Sequence, residues 1–220
     1  MKSVLEIDSV MLEYGFQRIL QDVHLKSETG NITGILGRNG TGKSSLMKIL
    51  FGELTPDSKS IRLDGMPLIN SMRSPQDMMY LPQNHFIPRS LSVARIFQDF
   101  DLNWNYFVHE FPGLETLKNK KLKNISGGER RIIEIYCIVA SKTKFCLLDE
   151  PFSHVMPLHI DTLKKIITNE KSNKGIILTD HLYSHILDIC DDLYVISNGK
   201  TYLTECFDDL KTLGYIRTLN

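Results

Sequence analysis

The run Gly37-Arg38-Asn39-Gly40-Thr41-Gly42-Lys43-Ser44, followed by Ser45, has the residue types and spacing needed to wrap a polyphosphate. Its glycines let successive backbone N–H groups curl around the β- and γ-phosphates. The lysine that follows reaches the terminal phosphates, and the serine offers a hydroxyl to Mg²⁺. Gly37, Asn39, Gly40, Thr41, Gly42, Lys43, Ser44 and Ser45 are therefore expected to contact nucleotide. A glycine-rich turn with only a structural duty has no need of Lys and Ser directly after its last glycine. A second constellation is Phe145-Cys146-Leu147-Leu148-Asp149-Glu150, an apolar run ending in two carboxylates. Asp149 is suited to Mg²⁺, directly or through water, and Glu150 to polarising an attacking water. Hydrolysis of a phosphoanhydride needs both roles.

These groups work only if the chain brings them to one edge. Residues 32–36 read as a buried strand and 44–50 as a helix, so the phosphate-wrapping run opens a helix whose N-terminus adds positive potential. Further strands are expected at 5–7, 23–25, 61–63, 78–81, 145–148 and 175–178, with helices at 127–140, 158–167 and 182–189. Asp64-Gly65 and Asn198-Gly199 mark tight turns, the second inside a hairpin formed by 193–196 and 201–203. Helices alternating with short apolar strands indicate a mainly parallel sheet covered on both faces, with ligands at the carboxyl ends of its strands.

The 220 residues fit a single α/β domain over 1–220, and the aromatic-rich stretch after Val93 is the candidate insertion. With 26 basic and 26 acidic side chains the formal charge is zero, so no nucleic-acid partner is expected. Cys137, Cys146, Cys190 and Cys206 are scattered without a CxxC pair and read as small hydrophobes rather than metal ligands or disulfides. No apolar stretch is long enough to span a bilayer and the first ten residues do not resemble a signal peptide, which points to the cytoplasm.

Ile125-Ser126-Gly127-Gly128-Glu129 resembles the signature sequence of the ATP-binding-cassette (ABC) ATPases. It lies between the phosphate run and the acidic strand, as in that family. The resemblance covers nearly the whole chain. It implies an ABC-type P-loop NTPase with a mainly parallel sheet flanked by helices, an N-terminal antiparallel β region, and a small helical subdomain inserted at about 84–140. It also implies ATP and Mg²⁺ as cofactors and a head-to-tail dimer with a second ABC ATPase subunit. In that dimer Ser126, Gly127 and Gly128 would contact the γ-phosphate held by the other subunit. Gln83 resembles the family glutamine that senses Mg²⁺ or water, and His181 the switch histidine. Lys43, Gln83, Glu150 and His181 then form the catalytic group, and Ser44, Gln83 and Asp149 the metal group. Tyr14 fits the aromatic that stacks on adenine, with Phe16 as the fallback.

Two departures stand out. The family usually places a linking aspartate shortly after the catalytic glutamate, where this chain has Met156, and Glu129 replaces the commoner glutamine. Phe97, Phe100, Trp104, Phe107 and Phe111 read as subdomain core, or as part of a groove for a partner helix. Lys118, Lys120, Lys121 and Lys123 with Arg130 and Arg131 form the one marked basic cluster, read by default as a solvated helix face or linker, with phosphate contact or membrane-surface attraction as the alternatives. The function implied is the ATP-hydrolysing subunit of a membrane transporter, held at the cytoplasmic face by separate transmembrane permease subunits. The alternative is a soluble ABC ATPase serving as an assembly or regulatory scaffold.

Overall fold

The computed structural model describes residues 2–68, 74–204, 207–213 and 215; Cys206 lies outside them. The chain begins with two long antiparallel strands, β1 (Val4–Tyr14) and β2 (Gln17–Glu28). They run well beyond the short apolar pieces expected from sequence. In β1 the buried residues are Leu5, Ile7, Val10 and Leu12, a spacing broken by one residue. Ser9 absorbs that extra residue at φ 52°, and the pairing register shifts between Ile7 and Val10. A bulge thus returns both halves of the strand to the same face.

The next strand, β3 (Ile32–Gly37), delivers the chain into the phosphate-wrapping run, and α1 (Lys43–Phe51) leaves it. There follow β4 (Ser58–Leu63), β5 (Met66–Pro67) and β6 (Met78–Leu81), then helices α2 (Val93–Asp99) and α3 (Trp104–Glu110). Two single 3₁₀ turns at Glu115–Leu117 and Leu122–Asn124 precede α4 (Gly127–Ala140). The remainder is β7 (Phe145–Asp149), α5 (Pro157–Glu170), β8 (Gly175–Thr179), α6 (Tyr183–Leu187), β9 (Asp192–Ser197), β10 (Lys200–Thr204) and α7 (Phe207–Thr212). Helix α6 is shorter than the apolar run 182–189 suggests.

The strands lie in the order β5-β4-β1-β2-β10-β9-β3-β8-β7-β6. β9, β3, β8, β7 and β6 are parallel, β10 returns antiparallel to β9 through the Asn198-Gly199 turn, and β1, β2, β4 and β5 form the antiparallel end. Every residue of β3, β7 and β8 is buried, as parallel strands covered on both faces must be. Their alternation sorts the core into two. Ile35, Phe145, Leu147 and Ile177 pack with α1 and the antiparallel strands; Leu36, Cys146, Leu148, Ile176 and Leu178 pack with α2, α3, α4 and α5. Phe97, Phe107 and Phe111 are buried in this second core, with Phe100 and Trp104 packed against it. The rings of Phe97, Trp104 and Phe107 meet edge-on or tilted at 5.0–5.2 Å, so these aromatics pack as part of that core.

The basic cluster divides. Its lysines are exposed, but Arg130 and Arg131 are buried in α4, which corrects the reading of all six as one solvated face.

Candidate functional site

The carboxyl ends of β3, β6, β7 and β8 share one edge, which places the phosphate-wrapping run beside Gln83, Asp149 and the segment after Thr179. Gly42 precedes α1 at φ 98°, and a Cβ there would lie 2.8–2.9 Å from the side chains of Leu20 and Ile19. Only glycine meets both conditions. Since Gly42 offers no capping side chain, the N–H groups of the first turn of α1 are not taken by a cap, an arrangement that favours an anion. Lys43 is buried, its Nζ donating to the carbonyls of Gly37 at 2.7 Å and Arg38 at 3.3 Å. Burial holds its pKa below that of an ordinary lysine, opposed by the carboxylates of Glu150, Asp149 and Asp180.

Asp149, the last residue of β7, is almost wholly buried and accepts from three hydroxyls: Ser44 at 3.1 Å, Thr179 at 2.9 Å and Tyr80 at 3.2 Å. A buried carboxylate needs such donors, since an unmatched one costs several kcal/mol. Burial, with Asp149 adjacent, pushes the Tyr80 phenol far above its usual range, so it stays a donor. Glu150 takes the left-handed conformation, φ 51°, which costs a non-glycine residue on the order of 1 kcal/mol. Its N–H donates to the Thr179 carbonyl at 2.9 Å. One carboxylate oxygen accepts from Gln83 Nε2 at 2.8 Å, and the other lies 2.6 Å from His181 Nε2. Asp180 is buried and accepts the N–H groups of Phe152 at 3.0 Å and Leu182 at 2.9 Å, tying the segment after Glu150 to the one carrying His181. Burial raises the Asp180 pKa above that of an ordinary aspartate.

A cleft of about 420 Å³ opens over this edge, lined by Tyr14, Ile19, Asn39, Gly40, Gly42, Lys43, Ser44, Ser45, Gln83, Glu150 and His181. Gly37 and Thr41 belong to the same run but do not line the cleft, and Asp149 sits beneath it through Ser44. Tyr14 is half exposed at its rim, whereas Phe16 is fully exposed and does not line it. Ser126, Gly127 and Gly128 are not brought to this cleft. They open α4, where Ser126 and Glu129 form a reciprocal cap: Glu129 N donates to Ser126 Oγ at 3.2 Å, and Ser126 N to Glu129 Oε2 at 2.7 Å. A more spacious concavity of about 910 Å³ lies at the opposite edge of the sheet. There the ammonium groups of Lys142, Lys144 and Lys174 are engaged by Asp101, Asp77 and Glu170.

Residues 20–153, more than half of the chain, match the family model described as "ABC transporter". The chain belongs to that family. As an ABC ATPase it binds and hydrolyses ATP. It is 31% identical over 220 aligned residues to the lipopolysaccharide export system ATP-binding protein LptB of Haemophilus influenzae, covering 92% of this chain and 90% of that protein. Against LptB of Escherichia coli K12 the identity is 34% over 204 residues, covering 84% and 83%. Among solved structures, the ATP-binding subunit of an ABC transporter superposes with a TM-score of 0.77 at 22% identity, covering 96% of this chain and 93% of that one. Another, an ATP-binding cassette in its ADP conformation, gives 0.73 at 20% identity, covering 96% and 94%. Both establish the fold, a mixed α/β P-loop NTPase with a mixed sheet and flanking helices.

The donors in this ABC ATPase fit Mg²⁺. Ser44 Oγ and Asp149 Oδ1 are hard oxygens already 3.1 Å apart at the base of the cleft. Among the described residues no group of three or more His, Cys, Asp or Glu side chains is placed to hold a metal. No helix among the described residues is long and apolar enough to cross a membrane.

Four positions that hold the site escaped the sequence reading: Tyr80, Thr179, Arg131 and Asp180. Thr179 faces Asp149 because β8 lies in register with β7, a neighbour that only the strand pairing reveals. Tyr80 donates to Asp149, and Arg131 to the carbonyls of Pro82, Asp149 and Glu150, groups distant in sequence that no local pattern marks.

Proposed function

We propose that this ABC ATPase is the nucleotide-hydrolysing subunit of a membrane transporter, in which two such domains close head-to-tail around two MgATP and drive separate transmembrane subunits. The observation that carries this reading is the position of Glu150. It lines the cleft, held between Gln83 and His181, next in sequence to Asp149 of the Ser44–Asp149 pair. In the proposed reaction the loop N–H groups and Lys43 hold the β- and γ-phosphates. Glu150 draws a proton from water as its oxygen attacks the γ-phosphorus, and the bond to the bridging oxygen of ADP breaks. Gln83 and His181 orient the Glu150 carboxylate. Mg²⁺, when held by Ser44 and Asp149 with Gln83 nearby, supplies charge neutralisation on the phosphate oxygens. Tyr14 at the rim offers an aromatic face to the adenine, giving affinity with little base specificity. Ser126, Gly127 and Gly128 act on the nucleotide of the opposite subunit.

The relatives named as export-system ATP-binding proteins favour a transporter subunit held at the cytoplasmic face by its permease. A scaffold or regulatory ABC ATPase is the second reading. It is favoured by the exposed Met156, which stands where the family has its linking aspartate. The test is Glu150→Gln. ATP binding is expected to persist while hydrolysis falls roughly 10²- to 10⁴-fold, the weight of a general base. Hydrolysis at the parental rate removes the role given to Glu150. Mass spectrometry of what accompanies the tagged variant from mild detergent in MgATP separates the readings: a multi-span membrane protein supports the transporter, and soluble partners alone support the scaffold.

A further inference from the structure

Helix α4 turns three charged residues into the protein: Arg130, Arg131 and Glu134, at 8%, 2% and 0% exposure. Arg131 engages no side chain. Its Nη1 donates to the Pro82 carbonyl at 2.8 Å, and its Nη2 to the carbonyls of Asp149 at 2.9 Å and Glu150 at 3.0 Å. Its Nε is buried without a hydrogen-bond partner. The fork is therefore fitted to three backbone oxygens even at the expense of one unmatched N–H.

Those three carbonyls belong to the two segments that carry Gln83 and Glu150, whose side chains meet at 2.8 Å. Glu150 is also the residue held at positive φ, a conformation that persists only when its surroundings fix it. The far end of the Gln83 segment is gripped by the same helix. Arg130 Nη2 donates to the Ile87 carbonyl at 2.6 Å, while Glu134 accepts from Ile87 N at 3.3 Å and lies 2.7 Å from His85 Nδ1. A lysine at 131 would keep the charge but not the planar fork that spans two segments.

We propose that Arg131 is a positioning residue for hydrolysis: through the carbonyls of Pro82, Asp149 and Glu150 it sets the Gln83–Glu150 pair and ties that pair to the helix that begins at Ser126. This rests on the reading of Glu150 as the base. Arg131 touches neither nucleotide nor water in this role, so nucleotide affinity is independent of it.

The experiment measures steady-state ATP hydrolysis, ATP affinity and thermal midpoint for the protein, purified with whatever subunits accompany it. The variants are Arg131→Lys, Arg131→Gln, Glu150→Gln and the double variant Arg131→Lys/Glu150→Gln. Arg131→Lys is expected to lower kcat at least about tenfold, with KM and ATP affinity within about twofold of the parent. In the Glu150→Gln background the same change is expected to leave the residual rate unaltered, because the group it positions is already gone. A purely structural arginine would lower both rates in proportion to the unfolded fraction read from the thermal midpoint, and that result overturns the proposal. So does an unchanged kcat in Arg131→Lys. If Arg131→Gln does not fold, Arg131→Lys carries the comparison alone. If Glu150→Gln hydrolyses ATP at the parental rate, the reading beneath the proposal fails instead.

Discussion

The cleft over the phosphate loop and the start of α4 both lie at helix N-termini, but they are finished differently. In the cleft the charged groups are matched within the chain: Lys43 by two loop carbonyls, Asp149 by three hydroxyls, Glu150 by Gln83 and His181. At the start of α4, Ser126 and Gly127 are exposed, the Ser126 side chain is engaged by its own Glu129, and a Cβ on Gly127 would meet nothing within 4 Å. One region is organised before its ligand arrives. The other leaves the start of its helix exposed, and under the proposed function it acts on a nucleotide brought against it from beyond the chain.

Perturbing each region should therefore separate binding from turnover. Lys43→Ala strikes the organised cleft. Losing a charge-assisted hydrogen bond costs about 1.5–3 kcal/mol, so ATP affinity is expected to fall roughly 10- to 150-fold, read by nucleotide titration calorimetry. Gly127→Val strikes the open region. The added side chain enters empty space in the first turn of α4, so folding and ATP affinity are expected to stay at the parental level. Turnover should drop about 10- to 30-fold, the value of roughly 2 kcal/mol of helix-terminus stabilisation. If Gly127→Val weakened ATP binding as much as Lys43→Ala does, the contrast between the regions would be lost.

Much of this division was legible in the sequence. The phosphate run, the acidic pair and Ser126 with Glu129 are local patterns, and each sits on the strand, loop or helix start that its chemistry requires. What was hidden has a common cause. β1 looked short because the bulge at Ser9 breaks the two-residue alternation that marks a strand, and β2 because its alternation breaks between the buried Leu20 and Val23. Arg130 and Arg131 looked like solvated charges because the partners of their guanidinium groups are mostly backbone carbonyls and a fully buried glutamate, which leave no matching side-chain pattern. Tyr80 and Thr179 become visible only once β6, β7 and β8 are laid side by side.

Met156 gives the smallest expected effect and the finest test of how the open region is linked to the cleft. It is the N-cap residue of α5, half exposed, with Pro157 at the first helical position and no side-chain hydrogen bond to the helix. An aspartate there would accept from the first-turn N–H groups and place negative charge at the helix start, worth about 1 kcal/mol. Met156→Asp should therefore raise the thermal midpoint by about 2–4 °C in a chain of this size. If residue 156 also links two nucleotide sites, the substitution changes the cooperativity of hydrolysis in ATP, with turnover shifting by up to about fivefold, the lower end of coupling energies between sites. Scanning fluorimetry and ATP titration of the steady-state rate read these two effects separately. A higher midpoint with unchanged turnover and cooperativity would leave Met156 as a forfeited helix cap, and the coupling of the two regions would then fall to α4 and the arginine it carries.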